Sequence, residues 1–189
     1  MLCQEKDLGE IIRLSNFDEL TKGGYSVTTY RKIFPSYDWD HDVAYVNQIV
    51  NYPNIVGVRE AGFLKNVPNE EVKKNDNAIE HWIQDNMRGC SCFILFVGEK
   101  TYQSKWCLYE MDLAKQMGIG RMIIYLDGMV DLRGRVCPLG PDPYVVHKRY
   151  ASFLSPNSYT IKQYHWKRYE NPYVLLWKWI EDACVRAGY

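Results

Sequence analysis

The chain has 189 residues, a length that suits one domain with a well-buried core better than two. Its 23 basic and 23 acidic side chains cancel to a formal charge of zero, so no long-range field draws a polyanion and nucleic acid is excluded as the default partner. No apolar run approaches the roughly 20 residues that a membrane-spanning helix needs, and Met1-Leu2-Cys3-Gln4-Glu5-Lys6-Asp7 lacks the cationic-then-apolar pattern of a leader; a cytoplasmic protein without a membrane partner is expected.

Residues 1–28 are mixed in charge and read as an N-terminal appendage, with a short helix from Leu8 to Leu20 that stops near Gly23-Gly24. Residues 29–189 read as a single domain with a C-terminal helical extension. It opens with a short strand, Tyr30-Arg31-Lys32-Ile33-Phe34, expected to break at Pro35, which cannot donate to a sheet ladder. A helix from about Asp42 to Val50 follows, with Val43, Val46, Asn47 and Val50 on one side. Asn54-Ile55-Val56-Gly57-Val58 is a second candidate strand, and Glu60 to Asn75 reads as a long loop of the kind that is often functional. A helix capped by Asp76 carries Ile79, Trp82, Ile83 and Met87 at core spacing and closes at Gly89. Ser91 to Val97 is an apolar strand, the helix holding Glu110 closes at Gly118, and Arg121 to Leu126 is the next strand. Beyond residue 130 the pattern loosens: Leu139-Gly140-Pro141-Asp142-Pro143 is a turn-rich connection, Tyr150 to Leu154 a fifth candidate strand, and Val174 to about Ala187 a final helix. Apolar strands alternating with helices predict an α/β fold with a parallel sheet covered on both faces.

Few chemistries survive a motif check. Pro35-Ser36-Tyr37 stands where a dinucleotide fold has its glycine-rich turn, and there is no GxxxxGK[ST] loop, so hydride transfer and kinase chemistry lack support. No Gly-x-Ser-x-Gly elbow is present. Cys90-Ser91-Cys92 has no second close cysteine pair to complete a tetrahedral metal site, and the histidines are scattered, so no metal is expected. Asp38 and Asp40 straddle Trp39 like an acidic metal or phosphoacceptor corner, although helix caps use the same residues. What remains is Trp106 and Glu110, four apart on a helix just after an apolar strand, so that a ring and a carboxylate can point into one crevice. A single carboxylate is poorly equipped to hydrolyse ordinary sugars. It suffices where the leaving group departs without being protonated, as nicotinamide does from oxidised NAD, because the task is then to hold ribose hydroxyls and stabilise an oxocarbenium-like charge. The competing reading of Glu110 is a solvated helix acid paired with Lys105 or Lys115.

Several runs carry a resemblance: Asp76-Asn77-Ala78-Ile79-Glu80-His81-Trp82-Ile83, Gly89-Cys90-Ser91-Cys92, Gly98-Glu99-Lys100-Thr101 and Trp106-Cys107-Leu108-Tyr109-Glu110-Met111. With Arg31 to Tyr37 and Gly140-Pro141-Asp142-Pro143, they resemble the TIR-like domain of bacterial Thoeris antiphage proteins over about residues 30–145. The resemblance implies a flavodoxin-like (TIR-like) sheet and an NAD-consuming activity with Glu110 catalytic. It implies substrate binding by Phe34, Ser36, Tyr37, Asp38 and Trp39 of the first-strand loop, together with Trp82, Trp106 and Tyr109. NAD is then the substrate and no cofactor is expected. The product would be a cyclic ADP-ribose isomer or related conjugate, a diffusible messenger to a separate effector, made in response to a phage-derived trigger. TIR domains also assemble, so a homo-oligomer is implied. Pro35 departs from the usual residue of that loop. The runner-up is a non-catalytic TIR-like module acting through homotypic assembly, and a third reading is a nucleoside-processing enzyme of similar architecture.

Overall fold

A computed structural model describes residues 31–51, 68–148 and 161–189. The expected N-terminal appendage, the expected strand at Asn54–Val58, the first part of the long loop and the expected strand at Tyr150–Leu154 lie outside those residues. The described elements are β1 (Ile33–Ser36), α1 (Val43–Val50), α2 (Asp76–Met87), β2 (Cys92–Val97), α3 (Lys105–Gln116), β3 (Gly120–Tyr125), α4 (Pro143–Val146), β4 (Lys162–His165) and α5 (Pro172–Arg186). The four strands form one all-parallel sheet in the order β1-β2-β3-β4. This is an α/β fold of the flavodoxin-like kind, because the helices cover both faces.

Strand alternation makes the two faces. Ile33, Cys92, Ile94, Phe96, Met122 and Ile124 point one way, where α1 packs Tyr45, Val46 and Ile49 and α5 packs Leu176, Trp179, Ile180 and Ala183. Phe34, Phe93, Leu95, Val97, Ile123 and Tyr125 point the other way, against Ile79, Ile83 and Met87 of α2 and Cys107, Met111 and Ala114 of α3. β2, hydrogen-bonded on both sides and covered above and below, is buried at all six positions, which is why its sequence is a continuous apolar run.

Helix ends follow local chemistry. Asn75, one residue before the expected cap, accepts from the backbone N–H of Asn77 (2.9 Å) and Ala78 (3.4 Å) and starts α2. The expected stops hold: Gly89 (φ 75°) and Gly118 (φ 68°) take the left-handed conformation that closes α2 and α3. In α1 the core face is Tyr45, Val46 and Ile49, and Asn47 is exposed.

Two strand expectations need correction. β1 does not break at Pro35 but runs through it to Ser36, with Pro35 opposite Ile94 and Ser36 opposite Leu95. A proline fits a strand wherever its missing N–H is not needed by the ladder, and the extension makes Ser36 a strand residue. β4 lies at Lys162–His165, where no strand was expected; its Lys-Gln-Tyr-His sequence is exposed or half-buried throughout and gives no apolar signal. Among the described residues no helix is long and apolar enough to cross a membrane.

Candidate active site at the carboxyl edge of the sheet

The buried stripe of α3 is Cys107, Glu110, Met111 and Ala114, the i, i+3, i+4, i+7 spacing of a core-facing helix. A carboxylic acid therefore occupies a position that packing alone would fill with an apolar side chain. Glu110 is 1% exposed. It pairs with neither lysine named as an alternative partner: Lys105 bonds Asp76 of α2 and lies 4.5 Å from the Trp106 ring centre, and Lys115 is exposed. The surface-acid reading of Glu110 is thereby overturned.

Its partner comes from β1. Ser36, fully buried, donates its hydroxyl to Glu110 Oε2 at 2.5 Å. Glu110 Oε1 is buried with no hydrogen-bond partner among the described residues, an unusual state for a native polar atom. Burial pushes the carboxyl up to about 8, against a smaller opposing effect of the Ser36 bond. The same pocket of low dielectric acts on its neighbours. Burial raises the Tyr37 hydroxyl to about 12, with Glu110 adding to the effect, and burial followed by Glu110 drives the Cys107 thiol well above its ordinary value. Clusters of this kind at strand ends are where chemistry is to be sought.

Three contacts tie the loop after β1, α2 and α3 to one another. Tyr109, beside Glu110 on α3, accepts a hydrogen bond at its hydroxyl from Gln84 Nε2 (2.7 Å). Gln84 stands two residues beyond Trp82 on α2, and Trp82 meets Trp39 edge-on with ring centres 6.3 Å apart. Trp39 follows Ser36 by three residues, and Ser36 returns to Glu110. Trp39 Nε1 is the second buried polar atom here without a partner among the described residues. Trp106 is half-buried on the flank of α3, its ring edge-on to Tyr109 at 6.3 Å.

Ser36 and Glu110 are thus in direct contact, Trp39 meets Trp82, and Trp106 meets Tyr109. The other expected residues have different surroundings. Phe34 is fully buried in the sheet core, stacked on Phe93 at 6.2 Å. Tyr37 packs in the core cluster that α1 joins, its hydroxyl still near enough to Glu110 to feel its charge, and Asp38 holds its own loop, accepting from the backbone N–H of Asp40 (3.0 Å) and His41 (3.3 Å). Asp38 thus builds a turn and does not cap α1, whose N-cap position is Asp42.

Sequence reasoning missed a supporting group. Asp42, 2% exposed, accepts the Thr101 hydroxyl (2.7 Å), and the same Thr101 oxygen accepts from Gly98 N–H (2.8 Å). Burial lifts Asp42 to about 6 although Thr101 pulls it down. This ties the loop after β1 to the loop after β2. Its sequence signal, an acid at a helix start, is shared by ordinary caps and could not identify a tertiary contact. Among the described residues no group of three His, Cys, Asp or Glu side chains is arranged to hold a metal ion.

In the comparison with protein families, a model described as Thoeris protein ThsB, TIR-like domain, matches residues 34–131, more than half of the chain. That range holds β1 from Phe34 onward, β2, β3, α1 to α3, and Ser36, Trp39, Trp82, Gln84, Trp106, Tyr109 and Glu110. No curated protein matches the chain significantly.

Proposed function

The chain belongs to the Thoeris ThsB TIR-like domain family, a family of TIR-type defence, and from that premise we propose that it is an NAD-consuming enzyme whose catalytic group is Glu110. The observation that carries this reading is the Glu110 carboxyl itself, buried on a core stripe, bonded on one oxygen by Ser36 and unsatisfied on the other. Burying an acid without full satisfaction costs stability, and a substrate that completes the missing bond accounts for the expense.

The bond between ribose C1 and the nicotinamide nitrogen breaks with its electron pair going to nicotinamide, which leaves neutral and needs no acid. The sugar is left with oxocarbenium character, which the ionised Glu110 stabilises in a medium of low dielectric. Water, or a nucleophilic atom of the same ADP-ribose, then bonds to that carbon and loses a proton to solvent. In the free protein Glu110 holds its proton to about pH 8; the positive charge of the bound pyridinium favours the ionised form. Trp82, Trp106 and Tyr109 offer aromatic surface to a flat cationic ring. The product in this reading is a cyclic ADP-ribose isomer or related ADP-ribose signal, released to a separate effector after a phage-derived trigger.

The test is mass spectrometry of small molecules from infected cells carrying the parent chain or Glu110→Gln. Release of nicotinamide and an ADP-ribose product by the parent alone is the expected result. Equal product from both strains overturns the assignment of Glu110. No product from either, with defence retained in both, returns the protein to the interaction-module reading.

A further inference from the structure

Two thiols meet on the face of the sheet away from Glu110. Cys92, the first residue of β2, and Cys184, in the last turn of α5, are fully buried in the same apolar cluster. Cys184 Sγ lies 3.4 Å from the Ser91 carbonyl oxygen, an atom three bonds from the Cys92 Cα. Cys92 is paired in register with Gly120, and a Cβ added to Gly120 would stand 2.9 Å from the Cys184 backbone nitrogen. The helix backbone therefore comes down beside Cys92 at the one position of β3 that has no side chain to hold it off. The two thiols share a hydrogen bond. Cys90 is no rival for this contact, because it packs in the cluster on the other face and gives its thiol to the Asn86 carbonyl at 3.4 Å.

The pair is not symmetric. The bond that Cys92 donates favours a thiolate on Cys184 and sets it below the ordinary thiol value against the opposing effect of burial, and the Arg31 guanidinium adds to the pull. The same bond, with burial, holds the proton on Cys92. Arg31 is fixed in place by two bonds to Glu181, of 3.0 and 2.7 Å. A cysteine that ionises readily beside a second thiol is the arrangement that oxidises reversibly. Cys107, by contrast, is pushed well above its ordinary value by burial.

We propose that Cys92 and Cys184 form a peroxide-oxidised dithiol site, which closes to a disulfide tying the start of β2 to the end of α5. The Cys184 thiolate attacks one oxygen of a hydroperoxide. The O–O bond breaks with its electron pair going to the departing oxygen, which takes a proton and leaves as an alcohol, or as water from hydrogen peroxide, and Cys184 becomes a sulfenic acid. The Cys92 sulfur then attacks the Cys184 sulfur, and the sulfenic oxygen leaves as water with the Cys92 proton. Two thiols have lost two electrons and two protons to the peroxide. The site is independent of the NAD reading, since Cys92 opens β2 at the amino edge of the sheet and Ser36 meets Glu110 where β1 ends.

Peptide mapping of the full chain tests this without a variant. The protein is exposed to hydrogen peroxide, remaining thiols are alkylated in denaturant, and the digest is read by mass spectrometry. A linked Cys92–Cys184 pair, two hydrogens lighter than its separate halves and released by dithiothreitol, is expected, with Cys107 recovered alkylated. A disulfide joining any other pair, or both cysteines recovered alkylated after the same peroxide has oxidised added glutathione, overturns the proposal. Dimedone, which labels sulfenic acids, reads the order of attack. It should label Cys184 in Cys92→Ser and leave Cys92 unlabelled in Cys184→Ser; the reverse labelling overturns Cys184 as the attacking thiol. Oxidation should also raise the parent's melting temperature by several degrees, because a bond between distant parts of the chain narrows the unfolded ensemble. An oxidised form that melts with the reduced one overturns the tie between β2 and α5.

Discussion

At the scale of single residues, the chemistry rests on the ionisation of Glu110. Its carboxyl is lifted by burial to about 8 from an ordinary value of 4.5. Between those values the folded protein keeps a proton that the unfolded chain has lost, so the folded state binds more protons and stability falls as pH rises. At about 1.4 kcal/mol per pH unit, the penalty reaches on the order of 5 kcal/mol by pH 8. Glu110→Gln removes the ionisable group and keeps an acceptor for Ser36. Thermal unfolding should therefore find the variant close to the parent near pH 4.5 and progressively more stable toward pH 8; a constant difference across that range would place the carboxyl in water. The same group controls turnover. If the ionised form is the working one, kcat/KM for NAD, which reports the free enzyme, rises with pH and levels off near 8. Ser36 stabilises the ionised form, so Ser36→Ala should move that limb upward by about one unit, the effect of one lost hydrogen bond to a charged group. A downward move would contradict the direction in which the Ser36 bond acts.

At the scale of elements, the loops at the carboxyl edge are locked by two glycines. A Cβ on Gly140 would lie 1.8 Å from the Gly98 carbonyl oxygen, and one on Gly98 would lie 2.0 Å from the Asp42 carboxylate. The connection after β3, the loop after β2 and the start of α1 therefore touch in series, and Thr101 adds its bonds to Asp42 and Gly98. Gly140→Ala meets backbone that cannot rotate away, so it should cost at least 1–3 kcal/mol, as overpacking does, read as a lower denaturant midpoint with an unchanged slope. The sequence marked Gly140 as part of a turn and Asp42 as a helix start, but nothing local says that they meet through Gly98. What was legible had a period or a punctuation: the apolar run of β2, the helical spacing of Ile79, Ile83 and Met87, the glycine stops at Gly89 and Gly118. The course of β1 through Pro35 was not, because tolerance of a missing N–H depends on the neighbour. β4 was not either, since an exposed Lys-Gln-Tyr-His strand has no apolar alternation to read. For the site, spacing put Glu110 and Trp106 on one helix face but left Glu110 open to a surface role, and the resemblance singled it out, whereas the Ser36 bond and the Trp39–Trp82 contact are long-range and appear only on folding.

At the scale of the whole molecule, the face opposite Glu110 depends on how closely α5 approaches the sheet. Cys92 of β2 pairs in register with Gly120 of β3, and a Cβ on Gly120 would stand 2.7 Å from the Ala183 carbonyl oxygen and 2.9 Å from the Cys184 backbone nitrogen. Gly120 is used here for its lack of a side chain, which lets the α5 backbone lie directly on β3. Beside this contact, Cys184 donates its thiol to the Ser91 carbonyl at 3.4 Å, and Arg31 grips Glu181 through two bonds of 3.0 and 2.7 Å. A methyl group at Gly120 meets helix backbone on one side and its own strand on the other, so the helix must lift along its length. That motion loosens Leu176, Trp179, Ile180 and Ala183 together, all of them buried on this face. Gly120→Ala should lower stability by about 2–4 kcal/mol, the upper range for overpacking, and weaken the near-ultraviolet signal of the tryptophans stacked there, Trp179 lying 4.2 Å from the Tyr164 ring centre. Because Ser36 and Glu110 occupy the other face, the variant that remains folded at low temperature should keep the parent's dependence of kcat/KM on pH; a shifted profile would mean that α5 and the site are coupled through the sheet.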